Sequence, residues 1–366
     1  MEYILSTCGT SILTNNTNEK LKHALTIHAN ARMAKNVSDV SQEERRLIEA
    51  HINERASEFA TLSVRDARDA SAELNGILAY YEDQPVRGEK DRHCLLTTDT
   101  WLGEATAGIV KAWLENNNIC AVEVYRHNDL QTADWGTFSS SLSDLVKWCA
   151  EYVEPQRSPH RRVVFNLSGG FKSETGFLQL LGMFFADEVI YIFERSGELL
   201  RIPRLPVEMC DEQAIHDDLR DFRRASQGLS VIARKSGIYW FESDGQYTLT
   251  AWGELVFQKR KNVLYSGKVH ESPSDNVIFG SKFLESCNER YEDVNRKIDL
   301  LARYMEDPQK PNLRTLDFKP LRGRGNPAVP DATHECDAWH DGTVKRIYCR
   351  LENDAVVLLK LGQALH

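Results

Sequence analysis

Two apolar runs, each ending in a turn of small residues, constrain this chain more than any other feature. The first opens the sequence as Tyr3-Ile4-Leu5-Ser6-Thr7-Cys8-Gly9-Thr10-Ser11. The second is Val163-Val164-Phe165-Asn166-Leu167-Ser168-Gly169-Gly170-Phe171-Lys172. A strand apolar at nearly every position is buried on both faces, as in a parallel sheet covered by helices. Open α/β sheets bind ligands at the carboxyl ends of such strands. Glycines and hydroxyls there bring backbone N–H groups up to an anion, and Lys172 adds a point charge. Neither turn has the glycine spacing of a dinucleotide fold or of a P-loop, which disfavours an ordinary dinucleotide or nucleoside triphosphate.

Residues 1–202 repeat this alternation. Apolar strands are expected at 2–7, 93–98, 119–125, 161–167 and 188–193, with an edge strand at 199–202. Helices separate them: one opens at the capping pattern Ser41-Gln42-Glu43-Glu44, and crossovers run over 103–116 and 175–185. This is a doubly wound α/β domain. Thr97-Thr98-Asp99-Thr100 ends a third strand beside the two turns. The composition changes after Pro203. A charged helix over 211–226, a hairpin around Ser243-Asp244-Gly245 and a helix from Ala251 to Lys259 resemble a small winged-helix module. The polar stretch 267–280 reads as a linker. A helical segment over 281–306 then carries Leu284, Cys287, Tyr291, Val294, Ile298, Leu301 and Tyr304 on one face, allowing for a helix break. Strands over 333–339, 344–351 and 355–361 complete an α+β domain.

The formal net charge of −9 argues against a general nucleic-acid coat. Yet Ser281 to His366 is charge-balanced, and Lys310, Arg314, Lys319, Arg322 and Arg324 crowd together there with only Asp317 among them. Such a local basic surface suits contact with one particular RNA. None of the eight cysteines lies in a Cys-x-x-Cys pair, so neither a structural metal nor a disulfide framework is expected. No apolar stretch is long enough to span a bilayer, and the opening residues lack the pattern of a secretory leader. A cytoplasmic protein without membrane contact is expected.

The turn Ser6-Thr7-Cys8-Gly9-Thr10-Ser11, and Asn166-Leu167-Ser168-Gly169-Gly170-Phe171-Lys172 after its buried strand, resemble the two motifs of CARF domains, the Rossmann-like sensors of CRISPR systems. Tyr247-Thr248-Leu249-Thr250-Ala251-Trp252-Gly253 resembles the winged-helix extension that often follows them. The resemblance implies a cyclic oligoadenylate bound across the two-fold axis of a homodimer, with cyclic tetra-adenylate the expected ring. It carries over Thr10, Ser11, Thr98, Ser168, Gly169, Gly170 and Lys172 as ligand-binding residues. Further on, Leu316-Asp317-Phe318-Lys319-Pro320-Leu321-Arg322-Gly323, then His334 to Ala338, Val344 to Arg350 and Val356 to Gly362 follow the order of RelE-type mRNA interferases. The whole is similar to the CRISPR-Cas-associated mRNA interferases: a CARF sensor over 1–202, a winged helix over 203–270 and a RelE-like endoribonuclease over 280–366. The sequence departs from that pattern in having Asp337 and Trp339 where many relatives place Lys or Arg, and Lys345 where an arginine is expected.

RelE relatives cut mRNA in the ribosomal A site, so the resemblance implies mRNA and the ribosome as partners. RNA can be cleaved by its own 2′-OH without a metal or other cofactor. The enzyme removes that proton, protonates the 5′ oxygen and holds the charged phosphorane. Glu335 or His340 is the candidate base and His334 or His340 the acid, while Lys345, Arg346 and Arg322 hold the phosphate. Strand alternation puts Lys345 and Arg346 on opposite faces, so one of them lines the site. Lys319, Arg322 and Arg324 are expected to contact RNA. Two alternatives remain at this level. One is a transcription regulator reading DNA through its winged helix. The other is a ring nuclease that degrades its own ligand with Lys172 or Ser11.

Overall fold

The opening apolar run forms the centre of the first sheet. The computed structural model describes every residue except 16, 32–39, 132–134, 194–196, 207–211, 233–234, 236, 308–314, 322–328 and 365–366. The chain divides into two compact units, Met1–Glu208 and Met209–His366. The first contains β1 (Glu2–Cys8), α1 (Ser11–Thr14), α2 (Glu19–Ile27), α3 (Gln42–Phe59), α4 (Val64–Ala70), α5 (Ala72–Tyr80) and β2 (Arg92–Thr97). It continues with α6 (Trp101–Asn116), β3 (Val122–Arg126), α7 (Trp135–Trp148), β4 (Arg162–Asn166), α8 (Lys172–Phe185), β5 (Glu188–Ile192) and β6 (Leu199–Pro203).

The strand order is β3-β2-β1-β4-β5-β6, parallel except for the antiparallel edge strand β6. With β2 on one edge and β4 on the other, Tyr3 to Cys8 are buried, which is why the run is apolar almost throughout. The third strand begins at Val122 rather than 119. Asn118 adopts a left-handed φ of 69°, and the Ile119 amide donates to the Leu114 carbonyl at 3.0 Å, so these residues close α6 instead of opening a strand. Ser41 caps α3 as expected: its hydroxyl accepts from the Glu44 amide and donates to the Glu44 carboxylate. At the opposite end of the sheet from the glycine turns, buried His93 stands 3.0 Å from the Tyr81 hydroxyl, which donates to Asp91.

The second unit contains α9 (Glu212–Asp217), α10 (Leu219–Ser226), β7 (Trp240–Ser243), β8 (Gln246–Leu249), α11 (Ala251–Gly267), β9 (Val277–Phe279), α12 (Phe283–Ser286) and α13 (Tyr291–Glu306). It ends with β10 (Lys319–Pro320), β11 (His334–Trp339), β12 (Lys345–Glu352) and β13 (Ala355–Gln363). The charged helix expected over 211–226 is two helices that break at Asp218, and α11 runs on past Lys259 to Gly267. The expected linker 267–280 is not one. It holds β9, which pairs parallel with β13 and completes a sheet of order β10-β11-β12-β13-β9. Three residues are too short a run to show through their polar surroundings. The helix expected over 281–306 is also interrupted, at Arg290 with φ 47°. Leu284 therefore leaves the apolar face and is exposed, while Phe283 is buried in its place. Val294, Ile298, Leu301 and Ala302 of α13 do pack on Cys336, Ile347 and Cys349 of the sheet.

The opposite side of α13 is held by charge. Arg223 of α10 donates through Nε to Asp299 Oδ1 at 2.8 Å, and the Tyr265 hydroxyl of α11 donates to Asp299 Oδ2 at 2.5 Å, all three fully buried. Arg224 makes a bidentate pair with Glu306 at 2.6 and 2.9 Å. The expected winged-helix and RelE-like segments thus meet inside one unit across a desolvated ion network. Removing one member leaves the other charge buried and unpaired. Asp299→Ala is expected to cost the second unit about 3–5 kcal/mol, and the Arg223→Met/Asp299→Leu pair much less; urea unfolding of the two variants decides it.

Candidate functional site

The crossovers β1–β2–β3 run to one side of the first sheet and β4–β5 to the other, so the topological switch point falls between β1 and β4. The two glycine turns follow these two strands. They touch: the Thr7 hydroxyl donates to the Gly169 carbonyl at 2.7 Å, and a Cβ on Gly9 would lie 3.1 Å from the Gly170 amide nitrogen. Gly170 has φ +89°, and a Cβ there would meet Thr7 Cβ at 2.9 Å, so both space and backbone demand glycine.

Thr10, Ser11, Ser168 and Gly170 are partly exposed on this crevice, Gly169 is buried behind it, and Lys172 is exposed at the first position of α8. Among the described residues neither the Thr10 nor the Ser11 hydroxyl has a hydrogen-bond partner, and Lys172 has no ion pair. A lysine at a helix N-terminus opposes the helix dipole, an arrangement that an anion in the crevice would reverse. Ser168 is committed on one side, its hydroxyl accepting from the Ile192 amide at 3.2 Å. Thr98 is buried, one residue beyond the Cys8–Thr97 register pair of β1 and β2. Its hydroxyl lies 2.9 Å from that of Thr100, which caps α6, and both pack on Gly103.

Three residues that sequence reasoning passed over hold the crevice in shape. Glu73 of α5 is fully buried, accepts from the Gly9 amide at 2.8 Å and from the Ser71 hydroxyl, and fills the space a Gly169 side chain would need. Burial raises its pKa, and the Gly9 amide works against the rise. Asn166 Nδ2 donates to Ser6 Oγ and the Glu73 carbonyl. Glu174 of α8 is buried beneath Gly170. Burial pushes its pKa up to about 8, moderated by the Phe171 amide. A glutamate two residues after a lysine on a helix is an ordinary surface pattern, and only the packing of α8 in the folded unit makes it buried. Beside this crevice α4 and α5 line a polar cavity of about 530 Å3 with Arg65, Arg68, Asp69 and Asn75 on its wall.

In the second unit the five catalytic candidates separate. Arg346 Nη1 pairs with Asp337 Oδ1 at 2.5 Å, Asp317 Oδ2 at 3.2 Å and Glu335 Oε1 at 3.6 Å, and His340 Nε2 pairs with the other Asp337 oxygen. Asp337 is buried and joins the exposed His340 to Arg346. His334 is elsewhere: its ring stacks on Phe318 at 5.1 Å, Nδ1 is 2.9 Å from the Thr333 hydroxyl, and burial lowers its pKa. Lys345 pairs with Glu289 at 3.2 Å, apart from Arg346 as alternation requires. Lys319 is ion-paired with Asp317, while Lys310, Arg314, Arg322 and Arg324 lie outside the described residues. Trp339 is buried, donates to the Thr343 carbonyl and carries the Arg290 guanidinium on its ring, so it is core and no platform for a base. Among the described residues no group of side chains could hold a metal ion, all seven cysteines are unbridged, and no helix is long and apolar enough to cross a membrane.

A family model described as CRISPR-associated protein (Cas_APE2256) matches residues 68–205. The match supports a CRISPR association. It covers well under half of the chain, taking in α5, strands β2 to β6 and the turn Ser168-Gly169-Gly170 but not Thr10, Ser11 or anything in the second unit. No curated protein matches the chain.

Glu174 gives the first unit a pH signature. Its folded pKa lies above that of an unfolded carboxyl, so its contribution to stability is complete below about pH 4.5 and is lost as pH rises through about 8. His93, whose pKa burial lowers to about 3, has the opposite slope, confined below about pH 6.5. Between pH 6.5 and 8 the wild type should therefore lose stability relative to Glu174→Gln, by up to about 1.4 kcal/mol per pH unit. Urea melts of the two proteins across that window test this, and parallel pH profiles would mean that Glu174 stays ionised.

Proposed function

We propose that this chain is an ancillary effector of type III CRISPR defence. A cyclic oligoadenylate, expected to be cyclic tetra-adenylate, binds the β1/β4 crevices of two copies and switches on a RelE-type endoribonuclease that cuts mRNA in the ribosomal A site. The observation that carries the reading is the pair of contacting glycine turns at the switch point, with Lys172 beside them and without an ion pair among the described residues. It is supported by the CRISPR-associated match, which includes the second turn. A ring of phosphates is anionic, and a two-fold arrangement lets each subunit supply the same turn. The ligand acts by binding one arrangement of the dimer more tightly than the other.

In the second unit the chemistry falls to the His340–Asp337–Arg346 group. The 2′-oxygen attacks the adjacent phosphorus as Glu335 takes the hydroxyl proton, the P–O5′ bond breaks, and His340 in its protonated form gives its proton to the departing 5′ oxygen; with His340 as base, the same imidazole takes the first proton and returns it to that oxygen. Arg346, ion-paired with Asp337 in the resting protein, is the donor this scheme assigns to the charged phosphorane. Asp337 orients His340 as a buried carboxylate orients any general base or acid. His334, on Phe318 and held neutral, is outside this group. Reading DNA with the module ahead of it is disfavoured, because Arg223 and Arg224 of α10 are consumed by Asp299 and Glu306.

Translation in a cell extract with cyclic tetra-adenylate, mapped by primer extension, tests the scheme. Ribosome-dependent cuts are expected with the activator. His340→Ala and Arg346→Ala should each lower the cutting rate about 10²–10⁴-fold, whereas His334→Ala should retain most activity. Lys172→Ala should weaken cyclic tetra-adenylate binding by about tenfold in calorimetry. Intact transcripts together with no heat of binding would sink the proposal, and degradation of the ring itself would favour a ring nuclease.

A further inference from the structure

A single oxygen of Asp317 serves two cations. Its Oδ2 is ion-paired with Lys319 and lies 3.2 Å from Arg346 Nη1. The cations stand on strands either side of β11: Lys319 on β10 faces Glu335, and Arg346 on β12 faces Asp337. Two cations of different strands converging on one anionic oxygen is the arrangement that holds a phosphate oxygen. The pairing keeps the Asp317 carboxyl below its usual range. Other charges face the same place. Glu335 and Asp337 contact Arg346 from β11, His340 contacts Asp337, and Lys297 of α13 donates to the Thr315 carbonyl just before Asp317.

The three carboxylates are not equivalent. Asp337 is buried and Glu335 nearly so, both fixed in the pairing of β11 with β12. Asp317 lies outside any strand, with a left-handed φ of 42° and a side chain 38% exposed. It is the one that can leave without breaking the sheet.

We propose that Lys319 and Arg346 form a seat for one backbone phosphate of single-stranded RNA, and that Asp317 plugs this seat until RNA displaces it. Entry exchanges a carboxylate for a phosphodiester on the same two cations, so the plug suppresses RNA binding by the resting protein. The choice of RNA as ligand rests on the endoribonuclease reading above.

The test is fluorescence-anisotropy binding of a 2′-O-methylated RNA oligonucleotide, which cannot be cut, by the full chain. Asp317→Asn should bind about tenfold more tightly than the wild type. Its log K against log [salt] should steepen by about 0.7, the slope of one further phosphate contact on a single strand. Asp317→Asn/Lys319→Ala should return to the wild-type affinity. Asp354→Asn, an equal charge change in the β12–β13 turn, should leave it unmoved. Unchanged binding by a folded Asp317→Asn overturns the proposal, as does a gain matched by Asp354→Asn or retained in the double variant. If the activated wild type cuts nothing while Asp317→Asn shows the tighter, steeper binding, the seat stands and the nuclease reading falls. If the wild type cuts but Asp317→Asn binds no tighter, the seat alone falls.

Discussion

The first unit depends on the contact between two backbone turns. β1 and β4 are neighbours, and the chain leaves both at the same end, so Gly9 and Gly170 approach within van der Waals distance. Nothing larger fits, and Gly170 also occupies a backbone region that other residues avoid. Thr7 pins one turn to the other, and Glu73 reaches from α5 to hold the Gly9 amide. Thr10, Ser11, Ser168 and Lys172 lie at or next to these turns. Two carboxyls, Glu73 and Glu174, are buried directly beneath the turns. An anion above a buried carboxylate would be repelled, so keeping Glu174 neutral near pH 7 is consistent with an anion-binding surface.

Buried charge organises the second unit too. α13 carries Asp299 and Asn295 toward α10, α11 and the 268–270 segment, while Val294, Ile298 and Leu301 pack on the sheet. The same helix sends Lys297 to the carbonyl of Thr315, two residues before Asp317. It therefore connects the helix–hairpin–helix segment physically to the turn that carries Asp317.

Much of this was legible in the residues themselves. Nearly unbroken apolar runs located the five parallel strands of the first sheet, β3 with its start displaced by three residues, and the small-residue turns were recognisable because only glycine fits where the two backbones approach. β9 was not legible, because three residues carry no measurable period. Glu73 and Glu174 were missed for another reason: an acidic residue in a charged segment looks like surface until packing buries it. His334 was singled out by chemistry alone, and its stacking on Phe318 is a property of neighbours distant in sequence.

The sequence by itself determined the layered α/β character of the first unit, the positions of its small-residue turns and the helix-then-meander order of the second. These follow from local periodicity and from the steric needs of glycine. Only the tertiary structure decided that β1 and β4 are adjacent, which acids lie beneath the turns, and which of His334, His340, Lys345 and Arg346 share a face. Those outcomes depend on strand order and on burial, and a charge acquires its partner and its protonation state only after both are fixed.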